Sequence, residues 1–210
     1  MASSTAGLRT SSRRKVKSRN GQVRKVGQAG IFLKNFIRHP LMLGSVIPSS
    51  RYLISRVLDK VDWEKTQTAV EYGPGVGTFT RPILNQMRGD GRLLAIELNL
   101  EFAQLLRSDI DDGRLRVAHG SCVEVGKWME SHGLEEADFV LSGIPYTVLP
   151  RELRHGILTA TREAMSADGV LVVYQYTRAV LPDLQRVFTV VEDEFEPLNI
   201  LPARVFICRK

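Results

Sequence analysis

From Thr66 to the end of the chain, short runs of strand-forming residues alternate with stretches of helical periodicity. Strands are predicted at residues 67–72, 92–97, 114–118, 137–142, 169–176, 187–194 and 203–208. Helices are predicted at residues 78–88, 99–109, 122–131, 151–165 and 178–186. Strands separated by helices pair in parallel, and the helices cover both faces of the sheet. The last two strands follow each other without a long helix, so we expect an α/β fold whose seven-stranded, mostly parallel sheet closes with an antiparallel C-terminal hairpin.

The chain before this body differs from it in composition. Three segments are predicted: a basic flexible arm (1–28), an N-terminal amphipathic helix and cap (29–60), and the sheet-forming domain (61–210). Within the second segment, residues 30–38 place their apolar side chains on one side of a helix. The turn 44-GSVIPSS-50 follows, and Ser49 or Ser50 is expected to cap the next helix.

Charge is divided unevenly along the chain. The first 58 residues contain twelve Lys or Arg and no acidic residue, whereas the remainder contains 17 basic and 23 acidic residues. A basic arm on an acidic body predicts an anionic partner, either an anionic membrane surface or, less favoured, nucleic acid. A solubilising tail without a partner remains the alternative.

Two further features concern the compartment. Cys122 and Cys208 are the two cysteines, which provide neither a disulfide framework nor a metal cluster, so we predict no metal site and a reducing, cytoplasmic environment. The most apolar stretch, residues 31–47, is interrupted by Lys34 and Arg38 among others, so no membrane-spanning run of about 18 apolar residues is present.

The stretch 71-EYGPGVGTFT-80 lies between a predicted strand and a predicted helix. Its three glycines allow the main chain to turn sharply and to approach a ligand closely. Glu97, at the end of the next strand, is placed to accept hydrogen bonds from both hydroxyls of a ribose. The spacing is not the G-x-G-x-x-G that seats a pyrophosphate, so a ligand with ribose and adenine but no phosphate fits better. A glycine-rich turn without a ligand remains the alternative.

These residues resemble motif I of the class I methyltransferases that depend on S-adenosylmethionine, and the likeness covers residues 66–210. The resemblance implies a Rossmann-like sheet, S-adenosyl-L-methionine as cofactor and S-adenosyl-L-homocysteine as product. It also implies the contacts with the methionine and ribose of the cofactor: Glu71 near the methionine ammonium, Gly73, Gly75 and Gly77 along the methionine and ribose, and Glu97 on the ribose. At the adenine, it implies Leu98 on the ring and Ser121 with the Cys122 backbone at the amino group. Many members of the family have Asp at that last position.

The segment 142-SGIPYTVLP-150 follows the fourth strand at the edge where ligands bind in open α/β sheets. It resembles the Asn-Pro-Pro-Tyr type of motif in amino methyltransferases that act on adenine, with Ser142 in place of the amide or acid. We expect Tyr146 to orient the substrate amine, and Ser142 to line both the cofactor and the reacting centre. A loop that serves packing alone remains the alternative.

A closer resemblance, to the small bacterial phospholipid N-methyltransferases, extends over nearly the whole chain. It is carried by 36-FIRHPLMLGSVIPSSRYL-53, 71-EYGPGVGTFT-80, 142-SGIPYTVLP-150, 175-QYT-177 and 199-NILPARVF-206. Those enzymes methylate phosphatidylethanolamine stepwise toward phosphatidylcholine, and relatives methylate ornithine lipids. The resemblance implies methylation of an aminophospholipid by a protein held peripherally on the membrane. The residues assigned to the substrate and membrane side are Phe32, Phe36, Ile47, Ser49, Ser50, Arg178 and Arg204.

Several questions remain open from the sequence. His39, His119 and His155 are candidates for a general base. An RNA or DNA adenine N6-methyltransferase is the main alternative function, although Ser142 weakens recognition of a planar base, and a small-molecule methyltransferase is another. The oligomeric state is not indicated.

Overall fold

The computed structural model describes residues 49–210 of the chain. Its seven strands are β1 Thr68–Tyr72, β2 Arg92–Glu97, β3 Leu115–His119, β4 Ala137–Ser142, β5 Met165–Gln175, β6 Val190–Glu196 and β7 Ala203–Arg209. Its six α-helices are α1 Arg51–Leu58, α2 Thr80–Gln86, α3 Leu100–Asp109, α4 Val125–Ser131, α5 Arg151–Ala164 and α6 Leu181–Val187, with 3-10 turns at Cys122–Glu124 and Tyr146–Val148. The basic arm and the helix predicted over residues 30–38 lie outside the described residues.

The strands form one sheet in the order β3-β2-β1-β4-β5-β7-β6. β1 to β5 pair in parallel, while β7 lies between β5 and β6 and runs antiparallel to both. The predicted Rossmann-like sheet with an antiparallel C-terminal hairpin is confirmed. None of the helices between residues 49 and 210 has the length and apolar character that a membrane span requires.

Several boundaries differ from the prediction by three or four residues, among them the starts of β6 at Val190 rather than 187 and of α6 at Leu181 rather than 178. Two further starts show the reason. β5 begins at Met165 rather than 169, because Met165 already pairs with Ala137 before a bulge shifts the register to Phe139 and Val170. The helix predicted from 122 begins as a 3-10 turn and becomes α4 only at Val125. Both differences arise at element ends, where hydrogen-bond pairing rather than residue periodicity sets the limit.

Alternating residues of the strands divide the core into two layers. Ala69 on β1 packs with the layer beneath α1, α2 and α3, whereas Val70 and Tyr72 pack with the layer beneath α4, α5 and α6. Side chains one residue apart on a strand therefore enter different halves of the molecule.

The carboxyl edge of the sheet contains the point where the strand order reverses, between β1 and β4. Tyr72 and Ser142 end these strands in register, and the Gly143 N–H donates to the Tyr72 carbonyl at 3.1 Å. Because β6 runs in the same direction as β5, the turn between β6 and β7 lies at this edge too. Open α/β sheets bind their ligands at such a reversal point.

The helix predicted after the Gly-Ser-Val-Ile-Pro-Ser-Ser turn is α1, and its N-cap is Ser50. The Ser50 Oγ accepts a hydrogen bond from the Leu53 N–H at 3.2 Å, which satisfies one of the N–H groups that a helix start leaves free. α1 lies against the edge strand β6, where Arg56 pairs with Glu194 and Glu196. This places the chain around Ser49 beside the carboxyl edge.

Candidate active site

The loop after β1 has three glycines in the left-handed region of backbone space. The φ angles are +67° at Gly73, +56° at Gly75 and +86° at Gly77, a region that costs a residue with a side chain about 1–2 kcal/mol. A Cβ at Gly75 would meet nothing within 4 Å, so this residue borders open space. This open edge is where a ligand has access to bare main chain.

The other glycines face the protein instead. A Cβ at Gly77 would lie 3.0 Å from Leu106 Cδ2 on α3, and one at Gly73 would lie 3.0 Å from Ile144 Cγ2. From the sequence, all three glycines were expected to let the main chain turn sharply and approach a ligand closely. The structure gives Gly77 a packing reason, since the loop must lie tightly on α3.

Glu97 is almost fully buried at the end of β2 and holds the glycine loop in place. Its Oε2 accepts the Gly75 N–H at 3.0 Å, and its Oε1 accepts the Asn99 N–H at 2.8 Å. Burial raises the pKa of this carboxyl, and the hydrogen bonds from Asn99 and Gly75 oppose that rise. A carboxylate has about four acceptor positions. Each oxygen of Glu97 therefore retains a lone pair for a ribose hydroxyl.

Glu71 is the second buried carboxyl, on β1 just before the glycines. Its Oε2 accepts a hydrogen bond from the Thr80 hydroxyl at 2.7 Å. Burial raises its pKa to about 8, the Thr80 bond lowers it, and the charge of Glu97 raises it further. A cation bound beside Glu71 would stabilise its ionised form, so this position favours a positively charged ligand.

The three residues predicted near adenine lie beyond β2 and β3. Leu98 is half-buried against the α4–α6 layer. The Ser121 hydroxyl accepts the Val123 N–H and begins the 3-10 turn. Cys122 is buried, which raises the pKa of its thiol to about 12. Its side chain is therefore a core group, and the contact of its main chain with adenine stays a prediction.

Ser142 and Tyr146 are brought together, but inside the core. The Ser142 Oγ donates to the Tyr146 hydroxyl at 3.1 Å, and both side chains are fully buried. Burial raises the pKa of Tyr146 well above its ordinary value. In this structure the Tyr146 ring packs in the α4–α6 layer and does not face an opening where a substrate could stack. The direct orienting role expected for Tyr146 stays a prediction, and the hydrogen-bonded pair fixes residues 143–145 between its two members.

Tyr174 on β5 is a residue of this edge that the sequence argument did not single out. A Cβ at Gly143 would lie 2.4 Å from the Tyr174 hydroxyl, so the phenol rests directly on bare main chain of the 142–150 segment. The Tyr174 hydroxyl is hydrogen-bonded to Ser49; burial raises its pKa, and the negative charge of Glu71 raises that pKa further. Tyr174 thus lies between Ser49, which was predicted on the substrate side, and Glu71 at the start of the glycine loop. Tyr174 lies two residues after Val172 on β5, so the two side chains share one face of the sheet. This spacing was the signal in the sequence that could have placed Tyr174 at this site.

The two arginines assigned to the substrate and membrane side both pair with the carboxylate of Asp193. Arg178 Nε lies 2.6 Å from Asp193 Oδ2, and Arg204 Nη1 lies 3.2 Å from Asp193 Oδ1. Because two guanidinium groups share one carboxylate, this cluster of three residues carries a net positive charge. Of the candidate bases, His119 and His155 are exposed, the former opposite Glu97 in the sheet. Phe32, Phe36, His39 and Ile47 lie outside the described residues.

The observed groups fit S-adenosyl-L-methionine. Gly75 offers an open, side-chain-free approach, Glu97 has spare acceptor positions for a diol, and Glu71 suits a cation. The Rossmann-like sheet and this site define a class I methyltransferase with S-adenosyl-L-methionine as its cofactor. The family model described as ribosomal RNA adenine dimethylase matches residues 42–147, about half of the chain, and the chain belongs to that family.

The similar proteins differ in how much of their own length this chain matches. The chain is similar to the ornithine lipid N-methyltransferase of Singulisphaera acidiphila, with 29% identity over 185 residues that cover 85% of this chain and 94% of the relative. It is also similar to ribosomal RNA small subunit methyltransferase A of Mycoplasma mycoides subsp. mycoides, with 26% identity over 97 residues, or 46% of this chain and 35% of the relative. The chain thus spans about a third of the length of that ribosomal RNA relative.

Among solved structures, human methyltransferase-like protein 13 in complex with SAH has a similar fold. The TM-score is 0.58 at 13% identity, over 75% of this chain and 79% of that chain. At this identity the likeness concerns the fold alone.

Proposed function

We propose that the protein is an N-methyltransferase that acts on the primary amine of a membrane aminolipid, either ornithine lipid or phosphatidylethanolamine. The observation that carries the proposal is the likeness to a relative named ornithine lipid N-methyltransferase over 94% of that relative's length. The ribosomal RNA relative, in contrast, is matched over 35% of its length. Both lipids present a primary amine near an anionic group, a carboxylate in one and a phosphodiester in the other.

The donor half of the reaction needs a fixed cofactor. When bound, the cofactor would supply a methyl group on a sulfonium: an in-line attack by the amine lone pair on the methyl carbon forms the N–C bond, and the C–S bond breaks to release S-adenosyl-L-homocysteine. The chain's part is to hold this group still: we assign Gly75 to main-chain contact, Glu97 to the ribose hydroxyls and Glu71 to the positive end. Fixed alignment of two reactants accounts for much of the rate in such displacements.

The acceptor half needs a neutral amine. An alkylammonium has a pKa of about 10.4, so at pH 7 fewer than about one in a thousand is nucleophilic until its surroundings change. We assign the orientation of the amine to the main-chain carbonyls of Ser142 and Gly143 and to the Tyr174 hydroxyl. The ammonium proton passes to solvent before the transfer, which frees the lone pair that attacks the methyl group. The Ser142–Tyr146 hydrogen bond keeps these carbonyls in place from the core side.

Adenine N6-methylation of ribosomal RNA is the second candidate, and the family match over residues 42–147 favours it. In the family motif an amide or acid accepts the adenine amino protons. Ser142 holds that position here, and its hydroxyl donates to buried Tyr146. The site therefore lacks the side-chain acceptor that an exocyclic amino group uses, which is why we rank the lipid amine first.

The test is methyl transfer from radiolabelled cofactor with purified full-length chain. Ornithine lipid, phosphatidylethanolamine and ribosomal RNA are supplied in separate reactions, with Gly75→Arg as the control for background label. The proposal predicts label in one or both lipids and none in RNA. Label in RNA alone would establish the adenine candidate, and the comparison of the two lipids identifies the headgroup.

A further inference from the structure

The turn between β6 and β7, residues 197–202, has apolar side chains on the outside and a polar one on the inside. Leu198 is 60% exposed and Ile200 is 67% exposed, with Leu201 also exposed. Asn199, between them in sequence, is buried. This is the reverse of the usual arrangement, in which a loop presents its polar residues to water. We refer to Leu198, Ile200 and Leu201 as the apolar tip.

The tip is held in this inverted arrangement by hydrogen bonds to buried groups. Asn199 Oδ1 accepts the Ser50 N–H at 2.8 Å, and Asn199 Nδ2 donates to the Leu201 carbonyl at 2.9 Å. The Leu198 N–H donates to Glu196 Oε1 at 2.8 Å, while the other oxygen of Glu196 is paired with Arg56 at 2.6 Å. The outward direction of the apolar side chains is thus set by the fold.

The surroundings of the tip have the composition of a membrane interface. Three exposed aromatic residues lie on the elements that flank the tip: Tyr52 on α1, whose N-cap bonds Asn199, Tyr176 just after β5, and Phe195 opposite Arg204 on β6. Aromatic rings favour the boundary between headgroups and acyl chains. Arg204 stacks on the Phe195 ring, 4.9 Å from its centroid, and pairs with the Asp193 that also holds Arg178. The arginines supply cations beside the tip, and the nearby carboxylates of Asp193 and Glu196 are already engaged.

We propose that the apolar tip, with the aromatic residues and arginines beside it, docks the enzyme on an anionic lipid bilayer. The tip lies at the carboxyl edge of the sheet, as do Gly75 and Gly143, so docking would turn the opening of the site toward the lipid headgroups. This inference rests on the proposed function to explain why the enzyme would bind a membrane. The observations that support it are the exposed apolar and aromatic residues and the arginines beside them. Apolar side chains would enter the acyl boundary while the arginines meet lipid phosphates.

The test is sedimentation of full-length protein with vesicles of phosphatidylcholine alone or mixed with phosphatidylglycerol. Leu198→Ser combined with Ile200→Ser is expected to lower partitioning at least about tenfold on both, because two side chains lose their burial in the membrane. The control combines Val190→Ser and Leu105→Ser, two exposed apolar residues away from the tip, and should partition as the unmodified protein does. Arg178→Gln with Arg204→Gln should weaken partitioning on the anionic vesicles alone, and this effect should vanish in high salt.

Two readouts separate this inference from the proposed function. The tip variant should keep its melting temperature and its methylation rate on a monomeric short-chain aminolipid, while losing rate on vesicles. Equal vesicle partitioning of the tip variant and the unmodified protein would overturn the docking surface. A tip variant that changes the oligomeric state of the protein instead of its vesicle partitioning would overturn it too. Tip-dependent binding without methylation of any lipid would leave the docking surface standing and remove the proposed function.

Discussion

The two halves of the carboxyl edge are built in opposite ways. On the donor side, residues 71–77 and Glu97, polar groups are buried and bonded to one another, and the opening is bare main chain. On the acceptor side, residues 174–178 and 195–204, apolar and aromatic side chains point into solvent while polar groups such as Asn199 are kept inside. A small polar ligand fits the first arrangement, and an extended apolar partner fits the second. This difference is what we expect under the proposed function, in which the enzyme takes its methyl group from a soluble cofactor and its amine from a membrane.

The largest effect is expected from Gly75→Arg on the donor side. The new side chain would enter the open space at the loop, and the left-handed φ would add about 1–2 kcal/mol of strain. We expect cofactor binding to fall below detection by calorimetry. Gly133→Arg is the matched control, because Gly133 also has a positive φ and open space but follows α4, away from the site. Normal affinity in Gly75→Arg would remove the loop from the cofactor site.

Glu97→Gln should produce the next largest effect. The substitution removes the charge and replaces one of the two acceptor oxygens with a donor, so one ribose hydroxyl loses a charged hydrogen bond worth about 1.5–3 kcal/mol. We expect the cofactor Kd to rise about ten- to a hundredfold in calorimetry. The exposed Glu101→Gln on α3 should leave the Kd unchanged, and a similar rise in both variants would contradict a specific role for Glu97.

Glu71→Gln tests the electrostatics of the donor side. With a pKa of about 8, Glu71 is mostly protonated at pH 7 in the unliganded protein, and a bound cation should displace that proton. Calorimetry in buffers of different ionisation enthalpy should show about one more proton released by the unmodified protein than by Glu71→Gln. Thr80→Val, which removes a bond that lowers the pKa, should keep the release. Equal proton release by the unmodified protein and Glu71→Gln would contradict the assignment.

The same pKa has a consequence for folding. The folded state holds the Glu71 proton more tightly than the unfolded state, in which the pKa is about 4.5. The contribution of the protonated Glu71 to the free energy of unfolding is therefore fully present below pH 4.5. The unliganded protein loses this contribution as the pH rises toward 8. Urea unfolding should show a shallower decline over this range for Glu71→Gln.

Tyr146→Phe should give the smallest effect and tests the acceptor side. It removes the hydrogen bond with Ser142 but keeps the ring in the core, so we expect a loss of about 1 kcal/mol in urea unfolding and a several-fold lower kcat with an unchanged cofactor Kd. Tyr72→Phe is the control: its hydroxyl bonds to Thr161 at 3.0 Å in the same core layer, and its loss should cost similar stability without the change in kcat. Equal kcat in both variants would give Tyr146 a packing role alone.

The donor side was the more predictable half for a physical reason. Three glycines and a strand-end acid are local signals, because the backbone angles and the ribose contact depend on neighbours close in sequence. The mostly parallel sheet and the C-terminal hairpin also followed from the alternation of strands and helices, whereas the strand order did not. On the acceptor side, β4 reads Phe139-Val140-Leu141-Ser142 with apolar residues on both faces, so alternation did not tell which face receives Ser142. Nothing in the neighbouring sequence indicates that Asn199 is buried, because its partner Ser50 lies 149 residues away.

The most direct test of the account places vesicles containing ornithine lipid and phosphatidylethanolamine, together with unmethylated small ribosomal subunits, in one reaction with labelled S-adenosyl-L-methionine. Extraction into organic solvent then separates lipid from RNA. The account predicts label in the lipid phase, abolished by Gly75→Arg and reduced by the Leu198→Ser and Ile200→Ser pair. Label confined to the RNA, and indifferent to the apolar tip, would contradict it.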